Sequence, residues 1–455
     1  VRGNIAAAAA GSTDLGLSLT QQLTVIVLCA LTAFISHLAL AVFNDGVRPF
    51  MLDFIQGRTT RSATTAVSFG LSAGFIFGLG APMALSTGVL NPWLLFLPTD
   101  ILGILSPKKW LAPVLGAAWG AVVVFGLNGA NSLAHDLPVD FLTAMQQMST
   151  PILFLFTLFP VLAISKQFGK LRGGIAGLVE LALVVATMKL WPGIFAGAIA
   201  MAVGVLMLIA FAVAKDLRQR RKERAEQAGR ADGPAEDASG GDDPMASLFS
   251  TSATRLRKHL PLFMVLGAGV CLLAQMHIFG GGEATSFLVA KGDYSGAAQV
   301  DFYRVFGFVP LIATTALASG AYGIAGFTLV YPIGYLLPNP WLALICGALV
   351  FAVEVLALSW IGRILGRLPS VRDSSEHLRS AISDSLQLAI LFGSLMAANA
   401  MGGGLGILIV GGLYLLNEAM GRVVVRMAAA PAAVIVGGVI LNLLYWLDLF
   451  TPVKG

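Results

Sequence analysis

Charge is scarce in this sequence. Only 12% of its 455 residues are Asp, Glu, Lys or Arg, against roughly 25% in a soluble domain. Cysteine is scarcer still. Cys29, Cys271 and Cys346 all fall inside apolar runs, without the spacing of a disulfide framework or a metal site, and read as small buried apolar residues. The five histidines are scattered at His37, His135, His259, His277 and His377. There is no GxxxxGK[ST], no HExxH, no GxSxG, no arginine repeat of the voltage-sensor type and no TVGYG filter. These gaps exclude a soluble enzyme, a secreted disulfide scaffold and a chain that energises itself through a P-loop. An excess of 29 Lys+Arg over 24 Asp+Glu is too modest to imply a nucleic-acid partner. No metal, no cofactor and no catalytic residue set is expected.

What is abundant is hydrocarbon. Hydrophobic residues make up 57% of the chain and the mean hydropathy is +0.82. They occur in blocks of about 20, the length that spans a ~30 Å hydrocarbon core. The blocks are 22–43, 64–86, 89–107, 109–128, 150–165, 171–191, 193–214, 259–280, 303–320, 322–338, 341–363, 384–401, 404–418 and 431–450. Those at 89–107, 150–165, 322–338 and 404–418 are short or interrupted by Pro or Gly. The expected fold is an all-α polytopic membrane protein of about ten to fourteen transmembrane helices, some broken or re-entrant.

One soluble stretch divides the chain. Residues 215–258 hold ten Lys/Arg and eight Asp/Glu, and their centre lacks the apolar residues needed for a core. We expect a charged, largely disordered cytoplasmic linker at 215–258, joining membrane halves at 20–214 and 259–452, after a flexible tail at 1–19 with no cleavable signal. With the linker inside, alternation puts Arg48/Arg58/Arg61, Lys108/Lys109, Lys166/Lys170/Arg172, Arg363/Arg367/Arg372/Arg379 and Arg422/Arg426 on the same side. Residues 129–149 and 281–302 then fall outside, as do both termini. Ala73-Gly74-Phe75 before Asn91-Pro92-Trp93 is echoed by Ala325-Gly326-Phe327 before Asn339-Pro340-Trp341. The two units run in the same direction, so the echo hints at a repeat without supporting an inverted one.

Polar residues and backbone breaks at membrane depth persist only where protein or water covers them. Asn44-Asp45-Gly46-Val47-Arg48-Pro49 offers an Asp45–Arg48 pair beside two helix breakers, or an interfacial cap. Leu94 to Gly103 carries Pro98-Thr99-Asp100, a break with a hydroxyl and a carboxylate attached. Gly307 to Gly320 repeats that character with Pro310, Thr314, Thr315 and Ser319. Asn417-Glu418 precedes Gly421-Arg422, and Glu418 and Arg422 have the favourable i,i+4 order of a helix ion pair. Glu180 and Glu354 stand alone in long spans, as proton carriers or as inter-helix hydrogen-bond partners.

Together these stretches and Leu441-Asn442-Leu443-Leu444-Tyr445-Trp446-Leu447 resemble the YhfT family of bacterial inner-membrane proteins, over residues 20–452. Two departures stand out: Val423 where that pattern has proline, and a longer 215–258 segment. The resemblance implies transport across the inner (cytoplasmic) membrane and no particular substrate.

The expected function is a secondary-type transporter of a small polar metabolite, elevator-like and homodimeric. Pro98, Thr99, Asp100, Pro310, Thr314, Thr315 and Ser319 would bind substrate at mid-membrane between broken helices. Asn44, Asp45, Arg48, Glu180, Glu354, Asn417, Glu418 and Arg422 are the coupling or gating candidates, with H⁺ or Na⁺ as coupling ion. The alternatives are a permease subunit energised by a phosphotransferase-type partner and, with less support, an intramembrane enzyme.

Overall fold

The computed structural model describes residues 16–44, 47–55, 57–192, 194–228 and 244–452. Helix α1 (Leu19–His37) starts at a Ser18–Gln21 capping box and leads to a short strand, β1 (Ala41–Val42). Helices α2 (Arg48–Ile55) and α3 (Arg61–Phe75) follow, and α3 continues through a π turn (Ile76–Gly80) into α4 (Ala81–Thr87). Next come α5 (Pro92–Leu105), α6 (Leu111–His135), α7 (Phe141–Met145), α8 (Ser149–Phe156), α9 (Phe159–Phe168), α10 (Lys170–Leu190) and α11 (Ala196–Ala228). The rest comprises α12 (Pro244–Lys258), α13 (Leu260–Gln275), α14 (Glu283–Ala290), α15 (Tyr294–Ser319), β2 (Tyr322–Gly323), a 3₁₀ turn (Ile324–Leu329), α16 (Val330–Leu336), α17 (Pro340–Arg367), α18 (Pro369–Ala419) and α19 (Arg426–Trp446).

Among the described residues eight helical runs are long and apolar enough to cross a bilayer, and the pair α12–α13, bent by 72°, makes a ninth. The chain is an all-α multi-pass membrane protein. The 51-residue α18 is really two limbs. Gly402 (φ −147°) and Gly403 (φ 54°, ψ −134°) leave the helical region. A Cβ placed on Gly411 would stand 3.8 Å from Leu395, which a straight helix would hold about 24 Å away. Glycine is needed at 403 because L side chains avoid that backbone region.

Three expectations need correction. Neither Pro98 nor Pro310 breaks its helix: α5 and α15 run through them. Pro98 orphans the carbonyl one turn back, that of Leu94, and Trp119 Nε1 donates to that oxygen at 2.8 Å. The 215–258 segment is helical at both flanks. Phe249, Ala253 and Leu256 of α12 are core residues, and the buried Asp216 carboxylate accepts the Ser370 N–H at 3.0 Å. Residues 229–243 lie outside the described ones.

The real breaks form two matched sets. After α1, Leu38 and Ala39 (φ 53°) turn the chain into an extended segment. After α13, Met276 and His277 (φ 57°) do the same. Leu38 N–H donates to Phe34 and Ala39 N–H to Ser36; Met276 N–H donates to Leu272 and His277 N–H to Ala274. Gly88 (φ 68°) ends α4 and Gly320 (φ 65°) ends α15, each before another extended segment. These segments then pair crosswise. Ala41 opposes Tyr322 in the parallel β1–β2 pair, and Leu90 opposes Phe279 in a parallel bridge. Tyr322 N–H donates to Leu40 as Leu90 N–H donates to Ile278, both at 2.8 Å.

Helix packing obeys the same correspondence. A Cβ on Gly116 of α6 would strike the Cys29 carbonyl and Ala33 of α1; one on Gly347 of α17 would strike the Gly267 carbonyl and Cys271 of α13. The equivalent elements are thus α1 and α13, α5 and the 3₁₀ turn with α16, α6 and α17. The Asn-Pro-Trp echo is not this repeat. Asn91 and Asn339 are N-caps of α5 and α17, accepting from Leu94 N–H (3.0 Å) and Leu342 N–H (2.9 Å). Those two helices are not equivalent, so the echo reflects a shared way of starting a helix.

Two cores result. One joins α1, α5, α6, α13 and α15–α17 around the crossed segments. The other joins α7–α11 to α18 and α19, with Leu79 and Met83, and takes in Ala284 and Phe287 of α14 and Val300 of α15. Arg255 ties the ends of both repeated units, donating to Leu38 O (3.0 Å) and Gly320 O (2.8 Å). Arg255→Ala is expected to cost about 2–4 kcal/mol, two charge-assisted hydrogen bonds, read as a lower midpoint of thermal unfolding in detergent. Arg255→Lys should recover only part of it, because an ammonium lacks the planar fork.

Candidate functional site

The crossing is dry. Phe43, Phe96, Phe279 and Phe327 are buried, with Phe43–Phe96 and Phe96–Phe327 ring centroids 5.3 Å apart and Phe96–Phe279 5.7 Å. At its edge the turn after β1 is held by Asp100. This fully buried carboxylate accepts the Ser36 hydroxyl (2.6 Å) and the backbone N–H groups of Phe43 (2.5 Å) and Asn44 (3.1 Å). Those N–H groups have no ladder partner beyond the two-residue strand, so the carboxylate stands in for one. Asn44 is thereby set so that its Nδ2 donates to Ser72 Oγ at 2.9 Å. The other unit solves the same problem with a phenol: Gly281 N–H donates to Tyr335 Oη at 2.8 Å.

Beside this brace lies a cleft of about 350 Å³ between the two cores. Phe43, Asn44, Trp93, Leu97 and Ile324 line it from the crossing, and Ile382, Ser383, Leu386 and Met427 from α18 and α19. Its charged walls are Glu283 at the start of α14, Arg304 of α15 and Arg379 of α18. Arg304 pairs with the fully buried Asp301 at 3.0 Å and lies over the Phe156 ring. Arg379 makes two bonds to Glu376, at 2.9 and 3.1 Å, and remains 45% exposed. Two further cavities of similar size, one around Phe302 and Leu336 and one around Leu23, Val27 and Val265, are apolar grooves on outward-facing helix flanks.

The residues singled out from sequence scatter. Of those among the described residues, only Asn44 lines the cleft. Thr99 Oγ1 donates to Phe96 O and sits with Asp100 in the core. Ser319 is buried and exchanges hydrogen bonds with the Ala321 backbone. Asp45 and the side chains of Arg48, Pro310, Thr314 and Thr315 lie outside the described residues. Glu180 and Glu354 are buried on α10 and α17, away from the cleft, and their carboxylate oxygens have no hydrogen-bond partner among the described residues. Glu418 binds Arg422 at 3.0 Å, as its spacing indicates, and also Arg426 at 2.8 Å. Asn417 clamps Val424 through both its N–H and its carbonyl. That cluster staples the α18–α19 turn.

Sequence reasoning missed Glu283, Asp301, Arg304 and Arg379, having set the first two in an external loop. A signal was present: the Gly280-Gly281-Gly282 run just before Glu283, and Asp301 and Arg304 three apart at the head of an apolar stretch.

The family model described as "YhfT: Protein of unknown function" matches residues 21–450. "Uncharacterized protein YhfT" of Escherichia coli (strain K12) is 41% identical over 444 residues, covering 95% of this chain and 99% of its own. No solved structure matches.

Asp100→Ala strands two buried N–H groups and the Ser36 hydroxyl. With each orphaned group costing about 1–3 kcal/mol, the variant should lose more than twice the stability lost by Ser36→Ala. Thermal unfolding of the two purified variants checks this. Equal losses would mean that the backbone turn does not lean on the carboxylate.

Proposed function

The chain belongs to the YhfT family, and we propose that it is a secondary-type transporter of a small polar metabolite, bound in the cleft between the two cores. The observation that carries this reading is the cleft's wall. Two guanidiniums, a carboxylate, an amide and a hydroxyl converge there from four separated parts of the sequence. Such groups are costly within a bilayer and mark solute pathways. A volume of about 350 Å³ suits a metabolite-sized ligand.

In this proposal Asp100 positions Asn44 and does not touch the substrate. Arg379 is the partly exposed cation that meets an anionic end of the ligand, and Ser383 is one helical turn further on the same face. By the distribution of basic residues, Arg379 belongs to the cytoplasmic side of the inner membrane, as does the 215–258 segment. The cleft then corresponds to an inward-facing state. Its position between two separate hydrophobic cores supports an elevator-like movement of one core against the other.

The test is a thermal-shift screen of metabolites on the purified protein, with hits carried into uptake by proteoliposomes. Arg379→Ala should weaken a hit at least tenfold, about 1.4 kcal/mol, while leaving the ligand-free unfolding midpoint close to wild type. A hit that binds Arg379→Ala and Ser383→Ala as tightly as wild type would move the site elsewhere. Vesicles that bind the ligand but never accumulate it would sink the carrier reading.

A further inference from the structure

The buried end of the cleft holds an unbalanced charge set. Glu283 is 3% exposed and its Oε1 has no hydrogen-bond partner among the described residues, although the residue lines the cleft. Asp301 is fully buried and gives one oxygen to Arg304 at 3.0 Å, while its carboxylate also faces the Tyr335 hydroxyl, a neutral group that brings no positive charge. Both carboxylates lie within electrostatic reach of Arg304. Tyr331, 1% exposed, stands nearby with an unpartnered hydroxyl. Two carboxylates against one guanidinium leave one negative charge uncompensated in a desolvated place. A buried charge of that kind needs a counter-charge.

Among the described residues no other neighbour supplies it. Helices α4, α8 and α15 pack on α14. Helices α4 and α8 carry no titratable side chain there, and α15 contributes Asp301 and Arg304. Tyr331 and Tyr335 face the group from α16; Tyr335 Oη accepts from Gly281 and its hydroxyl is left to donate toward Asp301, but a neutral phenol leaves the charge count unchanged. On the opposite wall Arg379 is matched by Glu376.

We propose that Glu283, Asp301, Arg304 and Tyr331 form a binding site for one monovalent cation, a proton or Na⁺, at the closed end of the cleft. In the transporter this is the coupling ion, a role that rests on the carrier reading above; the binding itself does not. The site explains its own architecture. Oε1 of Glu283 and Oη of Tyr331 supply oxygens that no described residue uses, and Arg304 links the cation site to the substrate cleft that it also lines. A ligand anion drawn to Arg304 would loosen its hold on Asp301 and favour cation uptake at the same moment. That is coupling by a shared guanidinium.

The experiment measures thermal unfolding of the full-length protein in detergent. One arm varies NaCl against choline chloride at constant ionic strength and pH 8. The other varies pH from 8 to 6 without Na⁺. A ligand of the folded state raises the midpoint with concentration. Wild type should respond in one arm, and that arm identifies the cation. Glu283→Gln should lose the response, with apparent affinity at least tenfold weaker. Without cation at pH 8 it should unfold at or above the wild-type temperature, since the amide removes the uncompensated charge. A merely structural role for Glu283 predicts a lower midpoint instead. Glu180→Gln and Glu354→Gln should keep the wild-type response. The proposal fails if wild type responds in neither arm, if Glu283→Gln keeps the full response, or if Glu180→Gln or Glu354→Gln abolishes it. Should Glu283→Gln not fold, Asp301→Asn carries the same expectation. Because the readout is binding and not flux, a negative result leaves the carrier reading standing. A protein that binds the cation yet moves no solute fails as a carrier alone.

Discussion

Backbone that leaves the helix inside a bilayer must find its hydrogen bonds within the protein. This one requirement organises the molecule. Four segments leave the helix, after α1, α4, α13 and α15, and each meets the requirement with a partner from the other repeated unit. The strands are too short to satisfy their own ends, so side chains finish the work. Asp100 takes the N–H groups past β1, Tyr335 takes Gly281, and Arg255 takes the carbonyls of Leu38 and Gly320. A carboxylate, a phenol and a guanidinium thus sit among apolar helices for a structural reason, before any transport is considered.

The cross-pairing also decides where water and ligands have access. Crossed segments bring Phe43, Phe96, Phe279 and Phe327 into one aromatic cluster, which closes the crossing itself. A cleft with charged walls opens where that aromatic block meets the second core. Glu283, Arg304, Arg379, Asn44 and Ser383 gather on that seam. Polar groups in a low-dielectric interior are tolerated where they face one another or a hydrated space, and the seam offers both.

The membrane class was legible from composition, and most helices from the apolar blocks. Position of the breaks was not. Pro98 looked like a break and is none, because Trp119, far along the chain, collects the carbonyl it frees. Leu38-Ala39 and Met276-His277 looked like ordinary helix and are breaks; the left-handed turn falls on Ala39 and His277, which carry no sequence signal for it. The repeat was hidden for a similar reason. It is preserved in turn geometry and in close helix approaches, as at Gly116 and Gly347, rather than in matching strings of residues. The local pair Glu418–Arg422 was readable because helix spacing alone brings it together. The cleft was not, since it collects residues from α5, α14, α15 and α18 that only tertiary packing makes neighbours.

The same pairing bears on how such a protein can move. Two parallel contacts, each made of one segment from each unit, tie the units at two points, and Arg255 adds a third. Rocking one unit against the other would break backbone hydrogen bonds in a medium that offers no replacement. Sliding the second core along the first leaves the crossed backbone pairs intact and disturbs side-chain packing around the cleft, together with the bond from Phe195 N–H to Gln299 Oε1 at 3.1 Å. Any alternating access built on this fold therefore has its cheapest path along that seam. Arg304 stands there with Asp301 behind it and the cleft in front. A displacement of α18 past α15 would change the surroundings of Arg304 and Arg379 together, since both line the one cleft between these helices.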